Sequence, residues 1–465
     1  MRPMRLSEIA AATGGRVVGE DVTVATVVTD TRAFAGRSVG AGALFVALRG
    51  ERFDGHDHVV AATDAGVTAA LVAREIDAAL PQVVVEDTER ALADWAAAVQ
   101  RTRAARVVAI TGSNGKTSVK TLVHSILQCA GRAYANPGNR NNEIGLPLAV
   151  LDAPEDADYV IYEMGAGKPG DIAYLCGIAR PDVAIVNNVA AAHLERMGSL
   201  FGVAHTKGAI YDALAADGIA VINADDAFGA YFAQRVQSRR QLRFGLEASA
   251  DVGARDIHLD SEGARFVLTT PAGDAPVKLA MPGRHNVGNA LAAASLALAL
   301  GVDLATIARG LAQARPVAGR LVTHRLANGA LLVDDSYNAN PGSVAAAIDT
   351  LAAGADEGWL VLGDMRELGA DEIELHADAG RRARTAGLLR LYTLGALSRA
   401  AADAFGEGAR HFSDHDALAR ALAADLTAGV RVLVKGSRGS AMDRIVSALL
   451  APGPSGTGQG PIHAA

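Results

Sequence analysis

From residue 107 onward, short unbroken apolar runs alternate with helical stretches, and this alternation limits the fold more than any other feature of the chain. Residues 107–110, 159–162, 183–186 and 219–222 are runs of this kind, each followed by a polar or glycine-rich turn and then a helix-forming stretch. A strand with one wet face alternates apolar and polar residues, whereas a strand buried on both faces does not. The pattern predicts an α/β fold with a parallel sheet covered on both sides. Ligands of such sheets bind at the carboxyl ends of the strands. A second series, residues 331–333, 359–362, 391–394 and 430–434, begins after Arg315-Pro316 and predicts another α/β unit. The first hundred residues mix expected strands at 24–29, 43–48 and 83–86 with a polar, glycine-bracketed loop at 50–58 and a helix at 89–103.

A chain of 465 residues has room for three domains at about 150 residues each. We expect a small α/β domain at 1–103, a central one at 104–315 and a Rossmann-like one at 316–452. The Gly/Pro-rich tail 453–465 is expected to be disordered. Half the residues are apolar and 20% are charged, which excludes general disorder. The 44 Lys and Arg against 51 Asp and Glu leave a formal charge of −7, which argues against a nucleic-acid binder. Cys129 and Cys176 are too few for a disulfide framework and suit a reducing compartment. Residues 1–15 lack the apolar segment of a signal peptide. The most apolar run, 290–300, is eleven residues and short of the roughly 20 a bilayer needs. The expectation is a cytoplasmic protein without membrane insertion.

The strongest chemical signal is Ala109-Ile-Thr-Gly-Ser-Asn-Gly-Lys-Thr-Ser118, which follows one strand and opens a helix. Amides of a glycine-rich turn at a helix N-terminus can wrap phosphate oxygens, a lysine there neutralises them, and a hydroxyl ligates magnesium. The segment therefore nominates Gly112, Ser113, Asn114, Gly115, Lys116, Thr117 and Ser118 for nucleotide binding. The ordinary P-loop has glycine five places before Gly115, where this chain has Ile110. Glu163 and His193 fall just beyond predicted strands, where metal ligands would lie; the plainer readings are a surface carboxylate and a loop histidine.

Taken together, Thr111-Gly-Ser-Asn-Gly-Lys-Thr117, Asn139-Arg-Asn-Asn-Glu-Ile-Gly-Leu-Pro147 and Glu163-Met-Gly-Ala166 resemble the Mur ligases, the ATP-dependent amide-forming enzymes of peptidoglycan precursor synthesis, and Asn187-Asn-Val-Ala-Ala-Ala-His-Leu-Glu195 narrows the match. Asp334-Asp-Ser-Tyr-Asn-Ala-Asn-Pro341, Val361-Leu-Gly-Asp-Met365 and Val434-Lys-Gly-Ser-Arg438 narrow the resemblance to the branch that adds D-alanyl-D-alanine. The resemblance runs from about residue 30 to 445. It implies an N-terminal domain for UDP, a central ATPase and a mobile C-terminal domain. It further implies ATP and Mg2+ as cofactors and UDP-N-acetylmuramoyl-tripeptide and D-alanyl-D-alanine as substrates; a monomer is expected.

By the same resemblance, Thr31 and Arg32 meet the UDP-sugar, while Asn338, Lys435 and Arg438 meet substrate. Lys116 serves the phosphates, Thr117 and Glu163 one magnesium, and His193 a second. Lys207 matches a lysine carbamylated in several members; an exposed helical lysine is the plainer reading. Asn286 and Asn289 match an adenine-contacting segment, and Arg320 and Asp335 close over phosphate and ribose. The rivals are a tripeptide-forming or folyl-polyglutamate ligase, a P-loop switch or motor ATPase, and a non-catalytic UDP-sugar binder.

Overall fold

The computed structural model describes residues 1–30, 42–191, 194–260, 262–354 and 357–451. Thr31, Arg32, His193 and the tail 453–465 lie outside the described residues.

The chain is α/β and is built on three main sheets. The first is five-stranded, in the order β2 (Arg16–Val18), β7 (Gln82–Val84), β6 (Ala69–Val72), β5 (Ala43–Val46), β4 (Thr26–Val28). Its pairs are parallel except β2–β7. A two-stranded ribbon, β1 (Met4–Arg5) with β3 (Thr23–Val24), lies beside α1 (Leu6–Thr13). α2 (Val59–Asp64) and α3 (Thr88–Arg101) complete this part. The Asp87 side chain caps α3 by accepting from the amides of Glu89 and Arg90. The expected loop at 50–58 is a loop only in part, because Gly55–His58 forms a 3-10 turn. The reason is His56, which is buried: its Nδ1 pairs with Asp54 at 2.5 Å and its Nε2 accepts from the Ala73 amide.

The second sheet is wholly parallel. Its order is β13 (Arg240–Phe244), β12 (Ile219–Asn223), β11 (Val183–Val186), β8 (Arg106–Thr111), β10 (Tyr159–Glu163), β9 (Ala133–Ala135). Its apolar runs are unbroken because each face is buried. Val108, Ile110, Ile161, Ile185 and Val221 pack with α4 (Lys116–Gln128) and α10 (Arg284–Ala299). Ala109, Val160, Tyr162, Ala184 and Ile222 join the opposite core with α5 (Gly145–Asp152), α6 (Asp171–Ala179) and α8 (Leu200–Asp212). The run 290–300 lies mostly within α10, whose residues 290–297 are buried as expected. The β–α alternation is interrupted by an antiparallel sheet the sequence reading did not foresee: β14 (Gly253–Leu259), β15 (Ala264–Thr270) and β16 (Gly273–Leu279). Ala264, Phe266 and Leu268, at alternate positions, bury one face of it over the α10 side.

The third sheet has the order β17 (Val322–Arg325), β18 (Leu331–Asp335), β22 (Val430–Lys435), β19 (Glu357–Gly363), β20 (Arg390–Leu394), β21 (Ala409–Phe412). Only the β17–β18 pair is antiparallel. α12 (Pro341–Ala352) follows β18 after a polar turn; Asn340 caps it and Pro341 occupies its first turn. The carboxyl ends of β8, β10 and β11 from the second sheet and of β18 and β22 from the third turn toward one shared cleft.

Candidate active site

The cleft has a volume of about 740 Å3. One wall is the turn between β8 and α4. Gly115 caps α4 with φ +78°, a left-handed conformation that favours glycine. A Cβ there would lie 2.4 Å from Asn289 Oδ1 and 2.5 Å from Asn187 Nδ2, so space as well as backbone demands glycine. No side chain caps α4, and the first amides of any helix lack intrahelical partners, so this turn can receive an anion.

Asparagines hold the turn in shape. The Ser113 amide donates to Asn188 O at 2.9 Å, and the Asn114 amide donates to Asn188 Oδ1 at 2.8 Å. Asn114 O accepts from Asn187 and Asn188, and Asn187 also donates to Asn289 Oδ1 at 3.1 Å. Asn289 donates in turn to Asn286, which donates to Pro282 O. Asn286 and Asn289 line the cleft where adenine was expected, yet these bonds also make them props for the turn.

Lys116 Nζ donates to the carbonyls of Gly112 and Ser113, 2.8 and 3.3 Å away. Burial pushes its pKa down, Glu163 raises it and Arg320 lowers it. Glu163 is buried rather than a surface carboxylate. Its Oε2 accepts from Thr117 Oγ1 at 3.0 Å and faces Lys120 Nζ at 3.2 Å, while Oε1 accepts from Asn141 at 2.9 Å. Burial alone would push the Glu163 carboxyl up, but Lys120, Lys116, Asn141 and Arg320 together bring it below the ordinary carboxylate range. A hydroxyl and an ionised carboxylate at the mouth of a phosphate turn fit Mg2+, which takes few protein ligands and fills the rest with water and phosphate oxygens.

Lys207, on α8, is buried, so the reading of an exposed helical lysine fails. Burial and the charge of Lys116 push its pKa well down, while Asp171 pulls the other way. An amine held toward its neutral form is the species that can be carbamylated.

The opposite wall comes from the third sheet. Arg320 lines the cleft, with its guanidinium carbon 4.4 Å from the Tyr337 ring centroid; that of Arg438 lies 5.6 Å from the same ring. Lys435, expected to meet a ligand, is buried at the end of β22 and already pairs with Asp335 Oδ2 at 2.5 Å and Asn338 O at 2.9 Å. Burial pushes Asp335 up against the pull of Lys435 and Arg320. Ser118 and Asn338 also line the cleft, whereas Arg438 opens onto an adjoining pocket with Thr117 and Arg320.

Sequence reasoning missed Lys120 and Asn136. Lys120 Nζ donates to Asn136 O and Gly138 O, and Asn136 braces β10 by accepting from the Glu163 amide. Their signal was a second lysine one helical turn after Lys116, facing the same carboxylate. His285, in the cleft, was also passed over; burial and Lys435 push it down to about 4.

Three family models match the chain: the Mur ligase middle domain at residues 110–297, the Mur ligase glutamate ligase domain at 319–438, and the Mur ligase family catalytic domain at 33–100. The chain belongs to the Mur ligase family. This Mur ligase is 44% identical to the UDP-N-acetylmuramoyl-tripeptide–D-alanyl-D-alanine ligase of Escherichia coli K12, over 97% of this chain and 99% of the relative. It superposes on MurF from Acinetobacter baumannii with a TM-score of 0.91 at 33% identity, covering 97% and 99% of the two chains. MurF ligase from Thermotoga maritima, solved in complex with ADP, matches with a TM-score of 0.81 at 30% identity, over 91% and 96%. The three-domain architecture of the Mur ligases accounts for the three main sheets. Among the described residues no helix is long and apolar enough to cross a membrane.

Proposed function

We propose that this Mur ligase joins D-alanyl-D-alanine to UDP-N-acetylmuramoyl-tripeptide at the expense of ATP, in peptidoglycan precursor synthesis. The observation that carries this reading is the turn at 112–118 set against the Thr117–Glu163 pair, in a chain 44% identical to a ligase of that name. A carboxylate is a poor electrophile because its leaving group would be oxide. Transfer of the γ-phosphoryl group of ATP to the tripeptide carboxylate gives an acyl phosphate and ADP. The amine of D-alanyl-D-alanine then attacks the acyl carbon, and phosphate leaves. The protein's part is to hold two anions together and screen their repulsion.

In this reading the amides of 112–118 and Lys116 hold the triphosphate, and Arg320 meets it from the opposite wall. Thr117 and Glu163 would hold Mg2+, which when bound would supply charge neutralisation; His193 would serve a second. Lys207, if carbamylated, would supply an anionic oxygen there. Asn286 and Asn289 meet adenine, Asp335 meets ribose, and Asn338, Lys435 and Arg438 shape the acceptor side. Thr31 and Arg32 meet the UDP moiety in a domain at 1–103, followed by domains at 104–315 and 316–452. The protein works as a cytoplasmic monomer. A phosphate-release assay tests the reading: release is expected with Mg-ATP, D-alanyl-D-alanine and a tripeptide carrying either diaminopimelate or lysine. ATP hydrolysis that ignores both substrates would overturn it in favour of a switch or motor ATPase.

A further inference from the structure

The asparagine network around the turn does not stop within the second sheet's half of the molecule. Asn340, 226 residues further along the chain, donates from Nδ2 to Asn114 Oδ1 at 2.7 Å. With its other side-chain atom, Oδ1, it accepts from the Ser343 amide at 2.9 Å and so caps α12. The first turn of α12 packs against the same residue, because a Cβ at Gly342 would lie 3.2 Å from Asn114 Nδ2. One amide thus ends a helix and grips the nucleotide turn. Only asparagine combines a short reach, an acceptor for the cap and a donor for the turn without adding charge beside a triphosphate. A serine could cap but not grip; an aspartate could cap but would offer no donor and would add a negative charge.

We propose that Asn340 is a positioning residue that couples the C-terminal α/β unit to the nucleotide turn, so that seating the turn and docking Arg320 are one event. Arg320, Asp335 and Lys435 belong to the same unit as α12 and line the same cleft. The register of α12 on Asn114 therefore sets how far the Arg320 guanidinium stands from Lys116 and Glu163. The inference rests on the ligase reading for its kinetic consequence but not for the contact itself.

The test uses the full chain with Asn340→Ser, Asn114→Ala and the double variant. One neutral hydrogen bond contributes about 1 kcal/mol, so each single variant is expected to lower kcat of acceptor-dependent phosphate release about fivefold. The double variant should fall no further, because both changes remove one bond. Affinity for Mg-ATP by calorimetry and the melting temperature of Asn340→Ser should stay near wild type, because the backbone bonds of the turn and the helix cap remain. Hydrogen exchange of the peptide 112–118, measured without substrates, should quicken severalfold in Asn340→Ser. Unchanged exchange, or multiplicative losses in the double variant, overturns the proposal. An inactive wild type whose exchange still responds to Asn340→Ser overturns the ligase reading and leaves the contact standing.

Discussion

Replacing Lys120 by methionine gives the most revealing perturbation of the site. The side chain is 7% exposed and its ammonium sits between Asn136 O, Gly138 O and Glu163 Oε2, at 2.9, 2.9 and 3.2 Å. Methionine fills the same volume without donors or charge. Removing one partner of a buried pair costs about 3–5 kcal/mol, because the other charge stays buried. Lys116, Asn141 and Thr117 remain beside Glu163, so the lower end of that range is expected, about 3 kcal/mol. For a unit of about 200 residues this corresponds to a melting point lower by roughly 6–12 °C. A chemical consequence follows too. The folded pKa of Glu163 lies below its ordinary 4.5, so its ionised form contributes stability above that value, which is lost as pH falls through the folded pKa. Without Lys120 the desolvation of Glu163 is less opposed, its pKa rises and protons compete with Mg2+ for the carboxylate. Thermal melts from pH 3 to 8 and Mg2+ titrations of phosphate release, with Lys120→Arg as the charge-retaining control, measure both effects. A Lys120→Met protein that melts within about 2 °C of wild type with the same Mg2+ dependence at pH 6 would refute the reasoning.

Gly115→Ala places a Cβ within 2.4 Å of Asn289 Oδ1 at a left-handed φ; at about 1–2 kcal/mol for the backbone alone, Mg-ATP affinity by calorimetry is expected to fall at least about tenfold. Thr117→Val keeps the shape but removes the hydroxyl that donates to Glu163; half-saturating Mg2+ should rise about tenfold, with a melting point lower by only a few degrees. His285 is held near 4, below its unfolded value of 6.5, so the unfolded chain takes up the proton first as pH falls. The stability it contributes is full above about pH 6.5 and is lost toward pH 4, by up to about 3 kcal/mol. Urea melts of His285→Asn should show a correspondingly flatter acid limb.

The sequence announced the parallel sheet and the phosphate turn because both are local. Val107 to Ile110 is apolar throughout because both faces of β8 are covered, and Gly115 stands where only glycine fits. β9 and β13, at the edges of the same sheet, were illegible: three residues such as Ala133–Ala135 carry no periodicity, and Arg240–Phe244 mixes charge with apolar residues. The antiparallel sheet at 253–279 alternates as a half-exposed sheet should, yet it interrupts a series of β–α units and was absorbed into them. Glu163 and Lys207 were legible as positions and not as environments; their burial depends on helices far away in sequence. Lys435 is similar. Its motif marked a charge at the cleft, which Lys435 lines, but gave no sign that its ammonium is held by Asp335. The bond between Asn114 and Asn340 could not be read from either motif, since it exists only where two sheets share a cleft.

Isotope transfer tests the central claim most directly. With 18O in the terminal carboxylate of the UDP-linked tripeptide, and Mg-ATP and D-alanyl-D-alanine present, the phosphate released in amide formation should carry one 18O atom, delivered through the acyl phosphate, with ADP as the nucleotide product. Unlabelled phosphate accompanying amide formation, or AMP in place of ADP, would contradict the account.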